Sequence, residues 1–187
     1  MARLIRLVGE YNPRRTRNRH EALVRSIITQ QLSGSAASSI LARFRALYGG
    51  GFPRPADVAR TPARKLQQAG ISAMKADYIR GLSGMIDRRE LKLAGFSRMG
   101  DEEVVAELVR VRGVGRWTAE MFLIFALGRQ DVLPLGDLGL RKGVMKLCSM
   151  DSLPTDAEIV KTAERWRPYR TAATWYLWKG TQGFRNI

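Results

Sequence analysis

Apolar side chains recur every three to four positions along most of this chain, the spacing that places them on one face of an α-helix. Residues 20–32 carry them at positions 23, 24, 27, 28 and 32. Residues 35–48 carry them at positions 36, 37, 40, 41, 44, 47 and 48. No segment of useful length alternates between apolar and polar residues, as a half-buried strand would. The pattern therefore predicts an all-α protein of about ten helices.

The other helices are predicted from the same spacing and from residues that start or stop a helix. A short helix is predicted over residues 1–9, and a loop rich in Gly and Pro from Gly49 to Pro55. Helices are also predicted over residues 61–70, 73–88, 101–109, 117–127, 137–147 and 155–166, and from Pro168 to about Lys179.

Three of these helices begin with residues typical of helix N-termini. Ser33 or Ser35 is predicted to cap the helix over residues 35–48, because a serine oxygen accepts a hydrogen bond from the first turn. Thr61 is the predicted N-cap of the next helix, with Pro62 as its first residue. Thr155 is followed three residues later by a glutamate, which predicts a capping box.

Two glycines, Gly113 and Gly115, stand on either side of one valine between the predicted helices 101–109 and 117–127. Glycine tolerates positive φ and lets the backbone approach a partner closely, so these residues predict a tight hairpin. The second helix is mostly apolar and is predicted to be buried. N–H groups at a helix start bind anions, phosphate above all. Two nearby glycines are also typical of an ordinary turn. In the first helix, one face is shared by Val104, Val105, Leu108 and Val109.

The net charge of the chain indicates which classes of partner it is expected to bind. It has 32 Lys and Arg residues against 17 Asp and Glu residues, a net charge of +15. Such an excess favours polyanions and predicts strongly salt-dependent binding to DNA or RNA. A ribosome-associated protein or a charged thermophile surface would show the same excess.

The single cysteine and single histidine exclude several classes of site. One Cys148 and one His20 provide neither a disulfide framework nor a Cys/His zinc site. Cys148 lies in an apolar helical context and is predicted to be a buried thiol in a reducing cytosol. No apolar run reaches the roughly 18 residues of a membrane span. We therefore expect no membrane association and a cytoplasmic location, at the nucleoid if the cell is prokaryotic.

Four segments, in the same order, resemble the helix-hairpin-helix superfamily of DNA base-excision glycosylases. They are HEALVRSIITQQLS, VRGVGRWTAE, LPLGDLGLRKG and AERWRPYRTAATWYLW, within a stretch from about His20 to Gly183. Within the superfamily the chain is most similar to the 3-methyladenine DNA glycosylase II branch, the alkylpurine glycosylases. The resemblance implies one compact unit over residues 1–187, with two helical lobes and an active-site cleft between them. One lobe would cover residues 20–130, with the helix-hairpin-helix at 102–127, and the other 1–19 plus 131–187.

The resemblance places the superfamily's catalytic aspartate at Asp137. From its surroundings alone, an Asp that follows Pro134 and Gly136 and precedes an apolar run is more often a helix cap than a catalyst. The resemblance favours catalysis instead. Breaking an N-glycosidic bond builds positive charge on the sugar, and an ionised carboxylate stabilises that charge and can orient the attacking water.

Bifunctional members of the superfamily carry a lysine two residues after the second hairpin glycine, where this chain has Trp117. The departure implies a monofunctional enzyme that makes no nick. Trp117 and Trp178 match two aromatic pocket residues of the alkylpurine branch, whose electron-rich rings suit a cationic purine. A pocket tyrosine of that branch corresponds to Met121 here. Trp166 and Trp175 are predicted to be core residues.

The resemblance also implies the DNA contacts. Gln31, with Leu32 beside it, would fill the gap left by a flipped base; a glutamine at a helix end that simply faces water is the alternative. The predicted backbone-binding residues are Arg112, Gly113, Gly115, Arg116 and Thr118. The carbonyls of Val109, Val111 and Val114 correspond to those that often bind a monovalent cation, Na⁺ or K⁺. No cofactor is expected to be required.

The sequence thus predicts a monomer that binds double-stranded DNA containing damaged bases and excises 3-methyladenine and 7-methylguanine. Two alternatives remain open. One is a glycosylase for another lesion, such as hypoxanthine or ethenoadenine. The other is a DNA-binding helix-hairpin-helix module without catalysis, in which Asp137 is only a cap. The superfamily's iron–sulfur branch is excluded because it uses four cysteines.

Overall fold

The computed structural model describes residues 1–13, 15–32 and 34–183, and these residues form helices and loops with no β-strand. The all-α prediction is therefore confirmed. The α-helices are α1 (Ala2–Val8), α2 (Arg19–Thr29), α3 (Gly34–Ala46), α4 (Pro55–Arg60), α5 (Ala63–Gln68), α6 (Ala73–Asp87), α7 (Asp101–Val109), α8 (Arg116–Phe122), α9 (Leu138–Leu147), α10 (Asp156–Ala163) and α11 (Arg170–Gly183). Two 3₁₀ segments, Leu93–Arg98 and Glu164–Trp166, and one π-helical segment, Leu123–Leu127, complete the regular structure. None of the described helices is both apolar and long enough for a membrane span.

The chain divides into two compact units. One unit joins the chain up to Arg15 with the chain from Leu123 onward, and the other is Thr16–Phe122. Both units therefore contain part of the predicted functional residues.

The Thr16–Phe122 unit is organised around α2, which packs against α3, α6 and α8. Four of the five positions predicted for the apolar face of this helix are buried, and the fifth, Leu32, lies beyond its end and is 39% exposed. Each fully buried side chain of this size contributes about 1.5–3 kcal/mol relative to an exposed one. The fully buried large side chains of the unit include Leu23, Ile27, Phe44, Leu66, Ile79, Leu108 and Phe122.

The other unit is built on α11, which packs against α1 and α9. Its core contains Trp166 and Trp175, as predicted, together with Leu140, Val144, Ile159 and Leu177.

Ion pairing joins the start of α11 to the loop before α9. Arg170 donates from Nε to Oδ1 of Asp131 at 2.6 Å and from Nη2 to Oδ2 at 2.9 Å. The hydrogen bond from Arg170 is the main cause of the lowered pKa of Asp131. Thr171 also connects α11 to this loop, since its hydroxyl donates to the carbonyl of Arg129 and accepts from the N–H of Val132.

Several local predictions were wrong. A helix that was not predicted, α4, begins at Pro55, the last residue of the predicted loop; its six residues are too few to produce a recognisable apolar period. Thr61 therefore ends α4, and Pro62 rather than Thr61 precedes the first residue of α5. Ser35 lies within the first turn of α3, and the alternative cap, Ser33, lies outside the described residues.

Two side chains that the sequence places in apolar helical contexts are exposed. Val109 is 44% exposed, because it is the last residue of α7 and the chain turns away there. Cys148 is exposed at the C-cap of α9, so it is no core thiol. The capping box of Thr155 with Glu158 is confirmed.

His20 is buried, with 5% of its surface exposed, and its Nε2 lies 2.8 Å from the hydroxyl of Ser83. Burial lowers the pKa of His20 from 6.5 to about 4, since the charged ring would lose its hydration. The unfolded chain therefore takes up a proton at higher pH than the folded chain. Stability from this residue is present above pH 6.5 and is lost as the pH falls toward 4.

We predict that His20→Gln flattens the dependence of stability on pH in this window. The lowered pKa corresponds to about 3 kcal/mol between neutral pH and pH 4, and glutamine does not titrate. Urea unfolding of both proteins at several pH values between 7 and 4.5 measures the difference, in which the carboxylates common to both cancel. Parallel curves for the two proteins would contradict the prediction.

Candidate functional site

The hairpin between α7 and α8 is a compact turn. Val111 donates its N–H to the carbonyl of Leu108 at 3.0 Å, and Val114 donates its N–H to the carbonyl of Val111 at 3.0 Å. The side chains of Val111 and Val114 are buried, which anchors the turn to the core. Gly113 has φ +87°, the left-handed conformation that favours glycine.

The two hairpin glycines are required for different reasons. A Cβ on Gly113 would lie 2.1 Å from Cδ2 of Tyr78, so the tyrosine ring occupies the space of a side chain. A Cβ on Gly115 would meet no heavy atom within 4 Å. Arg112 stacks its guanidinium over the same Tyr78 ring, at 5.6 Å from the centroid. The Gly115 side of the turn is thus open, as close approach of a phosphate requires.

The hairpin is tied to the end of α2 by Gln30. The side-chain amide of Gln30 donates to the carbonyl of Gly113 at 3.1 Å and to the hydroxyl of Thr118 at 3.0 Å. Lys75 in turn donates from Nζ to the carbonyl of Gln30 at 2.7 Å. Sequence reasoning missed both Gln30 and Lys75, because nothing in the spacing separates Gln30 from the neighbouring Gln31.

Directly after Gln30 come Gln31 and Leu32, the wedge residues that are predicted to fill the gap left by a flipped base. Gln31 is exposed and has φ +57°, an uncommon conformation for a residue other than glycine. Leu32 is 39% exposed, which is unusual for a leucine beside a buried helix. Both side chains therefore stand at the surface next to the hairpin, but whether either enters DNA stays a prediction.

The residues predicted to bind the DNA backbone differ in which of their groups could contact a phosphate. The hydroxyl of Thr118 is buried and bonded to Gln30, which leaves its backbone N–H as the group for a phosphate. Arg116 is exposed, but its guanidinium already pairs with Glu102 at 2.5 Å and with Glu120 at 3.3 Å. Arg112 is exposed.

Two predicted pocket residues also belong to this unit. Trp117 is half-buried in the first turn of α8. Met121 lies one helical turn later on the same helix and is 6% exposed. The spacing of four residues puts the two side chains on one face of α8.

Asp137 is in the other unit, at the N-cap of α9. Its Oδ1 accepts the N–H of Leu140 at 2.6 Å, so the capping role read from the sequence is confirmed. The same oxygen accepts a second hydrogen bond, from Nε1 of Trp178 at 2.7 Å. The Trp178 ring also stacks on Phe125, with centroids 6.0 Å apart and planes at 22°. Phe125 was not singled out in the sequence, because the apolar helix that contains it offers no signal for one ring.

No group of three or more His, Cys, Asp or Glu side chains in the described part of the chain could hold a metal ion. The hairpin carbonyls of Val109, Val111 and Val114 are hard oxygen donors that suit a monovalent cation. The carbonyl of Val111 already accepts the N–H of Val114, and its second lone pair is compatible with an ion. Whether the three carbonyls together hold an ion stays a prediction.

The family of HhH-GPD superfamily base excision DNA repair proteins matches residues 24–168. DNA-3-methyladenine glycosylase 1 of Schizosaccharomyces pombe is 38% identical over 95% of this chain and 80% of its own length. The solved structure of the Schizosaccharomyces pombe 3-methyladenine DNA glycosylase with abasic DNA superimposes with a TM-score of 0.87 and 36% identity, covering 97% of this chain and 90% of that chain. A Bacillus halodurans DNA-3-methyladenine glycosidase structure gives a TM-score of 0.81 and 35% identity, covering 98% and 85%.

We predict that Gly113→Ala destabilises the protein by about 2–4 kcal/mol, since alanine there must adopt a positive φ and displace the Tyr78 ring. The matched control is Gly115→Ala, which has space for its methyl group and should unfold within about 1 kcal/mol of the wild type. Urea unfolding of the three proteins gives the comparison. Equal losses in both variants would show that the tyrosine contact does not decide the stability of the hairpin.

Proposed function

Because this chain belongs to the HhH-GPD superfamily of base excision DNA repair proteins, we propose that it is a monofunctional DNA-3-methyladenine glycosylase. It hydrolyses the N-glycosidic bond of alkylated purines, 3-methyladenine and 7-methylguanine. The observation that carries this proposal is the carboxylate of Asp137, held at the start of α9 by two hydrogen bonds to one oxygen.

Asp137 acts on the sugar of the flipped nucleotide. As the bond between C1′ and the base breaks, the base leaves with the electron pair and positive charge develops on the sugar. A preoriented carboxylate stabilises this charge at no cost of reorganisation. Water then adds to C1′ and loses a proton, which leaves an abasic site. An alkylated purine that carries a positive charge leaves as a neutral base, so no general acid is needed.

The absence of strand cleavage follows from Trp117. A lyase step needs an amine that attacks C1′, and Trp117 provides none, because its indole nitrogen has no free lone pair and its N–H only donates. The product is therefore an intact strand with an abasic site.

The residues proposed to contact the base are Trp117 and Met121 in one unit and Trp178 in the other. The indole rings attract a cationic purine through their π-electrons. The polarizable thioether of Met121 adapts to the outline of the base. Since a tyrosine of the alkylpurine branch is replaced by Met121, a related lesion such as hypoxanthine or ethenoadenine is the alternative substrate.

DNA is held by the hairpin and distorted by the residues beside it. The N–H groups around Gly113 and Gly115 donate hydrogen bonds to a phosphate. Arg112 and Arg116 add positive charge, and a monovalent ion at the hairpin carbonyls screens the phosphate. Gln31, with Leu32, fills the space of the flipped base. We infer that the protein acts as a monomer on double-stranded DNA in the cytoplasm, at the nucleoid if the cell is prokaryotic.

We predict that Asp137→Asn lowers base release from methylated duplex DNA by about 100-fold or more while DNA affinity is retained. Asparagine is a good N-cap, so α9 keeps its start and only the charge is lost. Freed bases are quantified by chromatography, and strand breaks are read in the same samples before and after alkali. Breaks should form only after alkali.

The matched control is Asp151→Asn, which removes an exposed carboxylate of the same unit and should leave base release unchanged. If the wild type frees no base from methylated DNA yet binds it in a salt-sensitive manner, other lesions become the substrates to test. No release from those either would support the binding module without catalysis.

A further inference from the structure

Trp178 is bonded to the carboxylate that the proposed chemistry uses. Its indole N–H donates to Oδ1 of Asp137 at 2.7 Å, and this oxygen also accepts the N–H of Leu140 at 2.6 Å. Hydrogen bonds to an ionised acceptor are stronger than neutral ones. The indole N–H only donates, so it orients the carboxylate and exchanges no proton with it.

The Trp178 ring is itself fixed in place. It stacks on Phe125 at 6.0 Å and 22°, and the preceding residue on α11, Leu177, is fully buried. The stacking on Phe125 and the burial of Leu177 fix the ring beside the carboxylate in this structure.

Helix α11 approaches α9 closely because two glycines face it. A Cβ on Gly139 would lie 2.8 Å from Cδ1 and 3.1 Å from Nε1 of Trp178, and 3.0 Å from Oδ1 of Asp137. One turn later, a Cβ on Gly143 would lie 2.6 Å from Cβ of Leu177. Residues four apart share a face of the helix. Gly139 thus leaves the space in which the indole N–H and the carboxylate meet.

We propose that Trp178 is a positioning residue, which holds the carboxylate of Asp137 in its reactive orientation through the indole N–H, and that Gly139 makes this contact possible. The inference rests on the proposed role of Asp137. It separates two roles of the same ring, because a wall of the base pocket needs only the aromatic face, whereas a positioning residue needs the N–H.

The two roles predict different effects on different bases. A residue that acts through Asp137 alters the stabilisation of the charged sugar, which is common to every substrate. Its loss therefore slows release of 3-methyladenine and 7-methylguanine by the same factor. A residue that only contacts the base alters the ratio of the two rates, since the methyl groups lie at different edges of the purine.

The test uses single-turnover release of both bases by the wild type, Trp178→Phe and Gly139→Ala. Phenylalanine keeps an aromatic face and lacks the donor. We expect both variants to release both bases about 10- to 100-fold more slowly, which corresponds to loss of one hydrogen bond to a charged group. Affinity for duplex DNA with an abasic site should stay within about threefold of the wild type.

Gly136→Ala is the matched control for Gly139→Ala, because a Cβ on Gly136 would meet nothing within 4 Å. It should release both bases at the wild-type rate. Thermal unfolding verifies that each variant is folded, and if Gly139→Ala is not, Trp178→Phe alone decides the question.

Release by Trp178→Phe at the wild-type rate, or a slower rate for one base only, would overturn the inference and leave the proposed function standing. Absence of release by the wild type itself would overturn the proposed function.

Discussion

The carboxylate of Asp137 has two duties that reinforce one another. Its Oδ1 closes the first turn of α9 through the N–H of Leu140, and such a cap contributes about 1 kcal/mol to stability. The carboxylate cannot rotate away without exposing that N–H. The structural and the chemical interpretation of this aspartate are therefore not alternatives, because the cap is the means by which the proposed catalytic group is kept in one orientation before any DNA arrives.

At the hairpin, too, one residue has two roles. Gln30 ends α2 and gives its side-chain amide to the carbonyl of Gly113 and to the hydroxyl of Thr118. The next residue, Gln31, is in the left-handed conformation and projects at the surface. The residue that precedes Gln31 in the chain is thus the one that braces the hairpin. Two hydrogen bonds of Gln30 connect the hairpin to this segment, and Lys75 donates to the carbonyl of Gln30.

What the sequence could predict was local, and what it could not was long-range. The breaks at Pro134 and Gly136 indicate a helix start, so the cap at Asp137 was found from adjacent residues. Its bond to Trp178 joins residues 41 apart, and the bond of Gln30 to Gly113 joins residues 83 apart. Side-chain spacing within one helix contains no information on such pairs. Resemblance to a family located Trp178 as an aromatic ring but not the direction of its N–H.

The net charge of a chain does not by itself identify the basic residues that contact DNA. The chain has 32 basic and 17 acidic residues, so the acidic groups cannot neutralise all of the basic ones. They nevertheless determine which basic side chains already form ion pairs within the protein. Arg116, beside the hairpin, is bonded to Glu102 through two nitrogens, at 2.5 and 3.0 Å. Exposed pairs of this kind are worth about 0–1 kcal/mol. If Arg116 contacts a phosphate as proposed, exchanging its bonds to Glu102 for that contact costs little, and its second partner, Glu120, lies 3.3 Å away.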